Sequence, residues 1–433
     1  MQRRLPSFSI AASFLGLGRE MYALGNIPRS SVANLRTPSY VVDLKVAKKN
    51  CERMIDAAKE MNLHLRPHVK THKTEELALL QTGGRRQGIT VSTMAEAEWF
   101  ADRGFDDILY AVPITPDKLP AAAALTARLQ RFTISIDSAQ QADALIAYGP
   151  PSKDVEARSW SVNLMVDCGY HREGLDPECP SSIKLAKRLF SVSCITLNGV
   201  YTHGGHSYDA LDSHAVQEIT RQERNAVVAM AEALEQVGLE CREIGIGSTP
   251  TCASLLKESI VSPDTGLDEY RNEIGKGLTE LHPGNYVFFD TAQLKIGSCA
   301  STDDIAVRVL TRIVGHYRSS NTMLVDMGWT AQGGGQGFSD DFGCFTHRWT
   351  VGKQGKMTMD TAPASRLKVM ALKQEVGEVS TRDGSPIDWE MYPIGTIMSF
   401  APYHSCATGH NFPSLKVIEG EEVVGEFAVS KGW

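Results

Sequence analysis

The sequence predicts an α/β protein: a (β/α)8 TIM-type barrel followed by a mostly β C-terminal domain. Three observations carry this reading. Short β-rich runs alternate with helical stretches until eight strands have accumulated between residues 64 and 289, the count that a (β/α)8 barrel needs. No G-x-G-x-x-G turn follows the first strand, as it would in an open dinucleotide-binding sheet. From about residue 290 the texture changes to strand-like runs such as "IAVRVLTRIVGHY" and "EVVGEFAVSKGW", joined by polar or glycine-rich turns such as "QGGGQGFSDDFG".

Residues 1–36 form an N-terminal extension with several arginines and serines and one acidic residue, Glu20. That composition is weakly compatible with an organelle transit peptide, and the plainer reading is a loosely docked extension. The expected location is the cytoplasm, with the mitochondrion as the alternative. The barrel is assigned to residues 37–289. Its strands are read at 64–70, 88–93, 107–112, 132–138, 160–167, 196–203, 241–249 and 281–289, with helices at 46–61, 73–83, 95–104, 117–130, 138–148, 181–192 and 214–238. The last helix has strong helix formers, apolar residues at helical spacing and a terminal glycine. Residues 290–433 make up the mostly β domain.

Composition narrows the function classes. A chain of 433 residues with 42% hydrophobic and 22% charged residues is typical of a globular protein. The net charge of −7, without a lysine or arginine block, argues against nucleic acid as a partner. No run approaches the roughly 18 apolar residues of a membrane span. Nine cysteines are scattered singly with no C-x-x-C pair, so reduced thiols are expected and not a disulfide framework.

Functional residues of such a barrel collect where the strands end. The stretch "RPHVKTHK", residues 66–73, places Lys70 at the end of the first strand. A lysine there is costly to bury as an ammonium. Burial and neighbouring cations such as Arg66 and His72 would lower its pKa, as an amine nucleophile requires; the plain alternative is a surface lysine at a strand end. "GIGSTPT" contains Gly247, Ser248 and Thr249, and "PGNY" contains Gly284, Asn285 and Tyr286. Each is an ordinary turn taken singly. Together, after strands seven and eight, they match the usual phosphate position of these barrels. In "PYHSCATGH", His404 and Cys406 are two residues apart, which on a strand puts both on one face. An imidazole and a thiolate supply half of a tetrahedral zinc site, while lone His and Cys are more often simply packed.

The motifs "RPHVKTHKT", "VSTMAEAEWFADRGFDDIL", "DCGYHREG", "IGSTPTC", "ELHPGNYVFFD", "LVDMGWTA" and "PYHSCAT" together resemble the eukaryotic D-serine dehydratases, particularly the animal ones. These belong with D-threonine aldolases and alanine racemase among the fold type III pyridoxal 5′-phosphate enzymes. The resemblance runs from about residue 37 to the final "GW". It implies that Lys70 carries the cofactor covalently and takes the substrate proton. It also implies that Gly247, Ser248, Thr249, Gly284, Asn285 and Tyr286 hold the phosphate, that Tyr201 lies near the pyridine ring, and that His404 and Cys406 bind Zn2+. The implied activity is loss of water from D-serine, giving pyruvate and ammonia, with D-threonine or D-threo-3-hydroxyaspartate as further substrates. A metal-dependent D-3-hydroxy-amino-acid aldolase and a non-catalytic cofactor carrier are the alternatives. A homodimer acting on a small D-amino acid is implied as well. Gly204 departs from the family pattern, which has a cysteine there.

Overall fold

Two sheets, one parallel and one largely antiparallel, organise the chain. The computed structural model describes residues 28–152, 159–334, 344–351, 357–360 and 366–433. Most of the N-terminal extension and most of the "QGGGQGFSDDFG" turn lie outside the described residues.

The parallel sheet has eight strands: His64–Leu65, Ile89–Val91, Asp107–Pro113, Arg131–Ile136, Trp160–Met165, Ile195–Thr202, Glu243–Ile246 and Glu280–Leu281. From the second strand onward each pairs with the next, and the last pairs with the first through Glu280 opposite His64 and Leu281 opposite Leu65. Between the first and second strands there is no continuous ladder. One isolated parallel bridge joins His68 to Thr90, and the Thr90 N–H donates to the Pro67 carbonyl at 2.9 Å. The expected barrel is therefore present as a curled parallel sheet with a seam. Its first strand stops at Leu65, well short of Lys70, because Pro67 has no N–H to give a ladder and the chain turns into a 3-10 helix at Val69–Thr71. The last strand stops likewise at Leu281, before Pro283, and Asn285–Val287 is a 3-10 turn. The two proline segments meet, His68 N–H donating to the Pro283 carbonyl at 3.0 Å.

Helices follow the strands as the periodicity predicts, including Leu44–Glu60, Met94–Asp102 and Ser213–Glu235. Their starts are fixed by side-chain caps. Asp43 accepts from Lys45 N–H and Val46 N–H at 3.0 and 3.2 Å, and Ser138 and Gln141 form a capping box for Ala139–Tyr148.

The second sheet has eleven strands among the described residues, centred on Val307–Tyr317. Ser39–Asp43, counted with the barrel in the sequence reading, belongs to this sheet. It pairs antiparallel with Val307–Tyr317 and parallel with Ser414–Glu419. Tyr40, Val41 and Val42 are all buried, a continuous apolar run covered on both faces, as a central strand requires.

The end of the curled sheet away from the strand C-termini is closed by charge. Arg66, 3% exposed, donates from Nε to Glu280 at 3.0 Å, from Nη1 to Asp107 at 3.0 Å and from Nη2 to Glu243 at 3.1 Å. Arg131 reaches Asp107 and Glu243 as well. Replacing Arg66 would leave Glu280 without an arginine and three carboxylates with only Arg131 in a poorly solvated interior. Arg66→Met is expected to cost about 3–5 kcal/mol near neutral pH, read as a lower urea midpoint. Asp107 and Glu280 are held below the usual carboxylate range, burial opposing and Arg66 outweighing it. The stability they add is complete above their unfolded pKa of about 4 and fades as pH falls through the folded values. The deficit of Arg66→Met should therefore shrink on acidification.

Candidate active site

A cavity of about 290 Å³ opens where the parallel strands end, near the lower bound of roughly 300 Å³ for small-molecule sites. Its wall is built from successive strand ends: His68, Lys70 and Thr71 after the first, Arg172 beyond the fifth, His203 after the sixth, Gly247–Thr249 after the seventh, and His282, Gly284 and Asn285 after the eighth. His404 and Cys406 complete it from the region of the second sheet.

Lys70 sits on the Val69–Thr71 turn. The turn is capped by His68, whose Nδ1 accepts the Lys70 N–H at 3.3 Å. With Nδ1 accepting, the His68 proton lies on Nε2, which donates to Ser92 Oγ at 3.1 Å. Burial holds the Lys70 amine below the usual lysine range; Arg172 adds to this, while Cys406 opposes it. The cations expected to do so lie elsewhere. Arg66 faces the opposite end of the sheet among its carboxylates, and His72 is buried against Gln81 Oε1 at 2.9 Å.

The two small-residue turns are cross-linked. Thr249 Oγ1 accepts the Asn285 N–H at 2.9 Å, and Ser248 Oγ lies 2.8 Å from Ser207 Oγ. A Cβ on Gly247 would sit 2.7 Å from the His282 carbonyl carbon, and one on Gly284 2.7 Å from the His68 oxygen. Close crossing of chains accounts for these glycines. Tyr201 and Tyr286 do not line the cavity. Tyr286 is fully buried. Tyr201 lies behind the wall, stacked on His282 with ring centroids 4.6 Å apart, and burial raises its phenol pKa.

His404 and Cys406 converge through a strand-to-helix turn, not through strand alternation. Strand Ile397–Ala401 ends before them, His404 is the N-cap, and Cys406 lies in the first turn of helix Ser405–Asn411. Cys406 Sγ is 3.2 Å from Thr71 Oγ1 and accepts from Asn285 Nδ2 at 3.5 Å. Burial pushes the Cys406 thiol up, yet His404, Thr71 and Lys70 together bring it down to about 7. His404 rises to about 9, chiefly because of Cys406.

Asp290, absent from the sequence-based site, organises this corner. Fully buried, its Oδ2 accepts from Asn285 Nδ2 at 2.7 Å and from Ser405 N–H at 2.9 Å, and lies 3.5 Å from His404 Nδ1. Its Oδ1 caps helix Thr291–Ile296 through the Gln293 N–H at 2.9 Å. Its sequence signals were a place at the end of the motif "ELHPGNYVFFD" and a capping position before "TAQ". His203, His282 and Arg172 were likewise unassigned, although Arg172 and His282 lie inside quoted motifs and His203 lies between Tyr201 and Gly204.

The donor set can be tested against the two groups that the resemblance implies. A half-buried amine of lowered pKa shares the cavity with hydroxyl and backbone groups on two linked turns. This suits an aldehyde bearing a phosphate. For zinc, His404 and a thiol poised near its ionisation supply two donors. No group of three or more His, Cys, Asp or Glu residues placed to hold a metal occurs among the described residues. Asp290→Ala would strand the Asn285 and Ser405 donors at about 1–3 kcal/mol each. A lower melting temperature and faster alkylation of Cys406 are expected.

Comparison with known proteins agrees with this geometry. Residues 42–263 match the alanine racemase N-terminal domain family, and residues 306–418 match the putative serine dehydratase domain. A D-serine dehydratase of Dictyostelium discoideum is 33% identical, covering 94% of this chain and 100% of its own. The structure of D-threo-3-hydroxyaspartate dehydratase from Delftia sp. HT23 superposes with a TM-score of 0.79 at 32% identity, covering 93% of this chain and 100% of that one. A cysteine-to-alanine variant of a D-threo-3-hydroxyaspartate dehydratase, solved in a metal-free form, is equally similar, with a TM-score of 0.79. With both domain types in order and a relative this similar along nearly its whole length, the chain belongs to the D-serine dehydratase family of fold type III pyridoxal-phosphate enzymes.

Proposed function

We propose that the protein is a D-serine ammonia-lyase that removes water from D-serine to give pyruvate and ammonia, with pyridoxal phosphate held by Lys70 and a zinc ion held by His404 and Cys406. The observation that carries this reading is the meeting of Lys70 with the His404/Cys406 pair in one cavity. An amine base and a pair of metal donors facing each other is the arrangement that loss of a β-hydroxyl needs. Pyridoxal phosphate, when bound, delocalises the negative charge left on Cα, and a zinc ion at this pair would supply Lewis acidity toward the β-oxygen.

The chain's own groups do the rest. Lys70 Nζ, held below its ordinary pKa by burial, is the general base for the Cα proton. Gly247–Thr249 and Gly284 present amide and hydroxyl groups to a phosphate, and Asn285, bonded to Thr249 and Asp290, fixes the turn. Arg172, paired with Glu173, brings a guanidinium to the cavity wall that a substrate carboxylate can approach. The cross-links between turns keep these groups in place without rearrangement.

Dehydration of D-threo-3-hydroxyaspartate is the second reading, favoured by the comparable identity of the Delftia enzyme and by Arg172 in the wall, which could meet a second carboxylate. The expected dimer and the choice among 3-hydroxy substrates belong to the same reading.

The purified protein should show an absorption band near the visible edge that borohydride abolishes, and Lys70→Ala should lose both the band and turnover. A band that survives in Lys70→Ala would end the assignment. Exhaustive chelation should stop pyruvate formation and added zinc should restore it. With D-threonine, glycine and acetaldehyde should not appear; their release would identify an aldolase.

A further inference from the structure

We propose that Glu280 is a positioning residue for the active-site cavity: held by Arg66, its carboxylate fixes the His282 imidazole with a proton on Nε2 and its face against Tyr201. The inference concerns a part of the sheet interior that the reaction does not touch. It rests on the proposed function only for its effect on turnover.

Glu280 and His282 are two residues apart, one on the last parallel strand and one just beyond it, so their side chains share the inner side of the curl. Glu280 Oε2 lies 3.1 Å from His282 Nε2, bent from the ideal hydrogen-bond line. Nε2 has no hydrogen-bond partner among the described residues, so Glu280 meets it as a close charge and not through an aligned bond. On the other side of the ring, Nδ1 is 3.3 Å from Thr90 Oγ1. The ring therefore has one anionic neighbour and one hydroxyl neighbour, and the proton belongs toward the anion.

The place for the ring is built. A Cβ on Gly245 would lie 2.4 Å from His282 Nε2, and one on Gly247 would strike the His282 backbone. The glycines in and just after strand seven thus make room for this imidazole. The ring lines the cavity on one side and stacks on Tyr201 at an interplanar angle of 28°.

Glu280 is equally constrained. Arg66 grips both of its oxygens, at 3.0 and 3.2 Å. The cluster holds two arginines, Arg66 and Arg131, against three carboxylates, Asp107, Glu243 and Glu280. Arg131 contacts Asp107 and Glu243, so Glu280 is the carboxylate with charge to spare, and His282 is the group that receives it. A purely structural Glu280 would serve Arg66 alone. This one also faces the cavity wall.

The test is 15N NMR of the full-length protein labelled at histidine, as purified. His282 should carry its proton on Nε2. Glu280→Gln should change that pattern, move the pH profile of the cofactor band and lower kcat on the order of tenfold, as loss of an outer-shell partner does. Glu243→Gln loosens the same charge cluster without touching His282 and should leave the pattern as in the wild type. An unprotonated Nε2 in the wild type would overturn the proposal, as would a Glu280→Gln spectrum identical to that of the wild type. If Glu280→Gln does not fold, the wild-type spectrum alone decides. The spectrum requires no turnover, so a protein inactive on D-serine would count against the proposed function and not against this assignment.

Discussion

The buried carboxylate of Asp290 ties the parallel sheet to the loop bearing His404 and Cys406. It accepts from Asn285 on one side and from Ser405 on the other, so one anion sets the distance between the end of strand eight and the opposite wall of the cavity. Each of its contacts would be weak in water. In a dry interior they are strong, and none can be surrendered without stranding a donor. Lys70, the linked turns and the His/Cys pair come from sequence positions more than 300 residues apart, and this tie makes them one site.

Around that tie the molecule separates its charges. Arginines and carboxylates neutralise one another at the far end of the curled sheet, while the cavity end carries an amine and several imidazoles in poorly solvated surroundings. Burial lowers Lys70 and His68 together, and that keeps the cavity from filling with mutually repelling cations. Cys406 goes the other way, drawn toward its thiolate by His404. Amine and thiol are thus prepared by opposite electrostatic effects within one small space.

Much of the fold was legible because strand and helix periodicities are local. The eight parallel strands and the helix over residues 214–238 were visible as patterns, and the helix is found at Ser213–Glu235. What failed was non-local. Ser39–Asp43 reads as any buried strand, and nothing in its residues says which sheet receives it. Arg66 sits four residues before Lys70, so sequence proximity suggested that it depressed the lysine. The extended chain between them sends the two side chains to opposite ends of the sheet. His404 and Cys406 could be picked out by residue type, but a strand was assumed where a helix begins. Asp290 and His282 were missed because their roles depend on partners far away in sequence, and Tyr201 and Tyr286 lie outside the cavity wall that motif matching implied.

The lapse in the ladder between Leu65 and Ile89 has a consequence of its own. Where the other strands share repeated backbone bonds, this junction has one bridge and two side-chain contacts, Thr90 Oγ1 to the Arg66 carbonyl and His68 to Ser92, and segments with so few bonds are the first to open in native-state fluctuations. Lys70 rides on that junction. A ligand covalently attached there would staple the curl shut, so that occupancy and resistance to unfolding rise together, and the empty protein would begin to melt from its own catalytic rim.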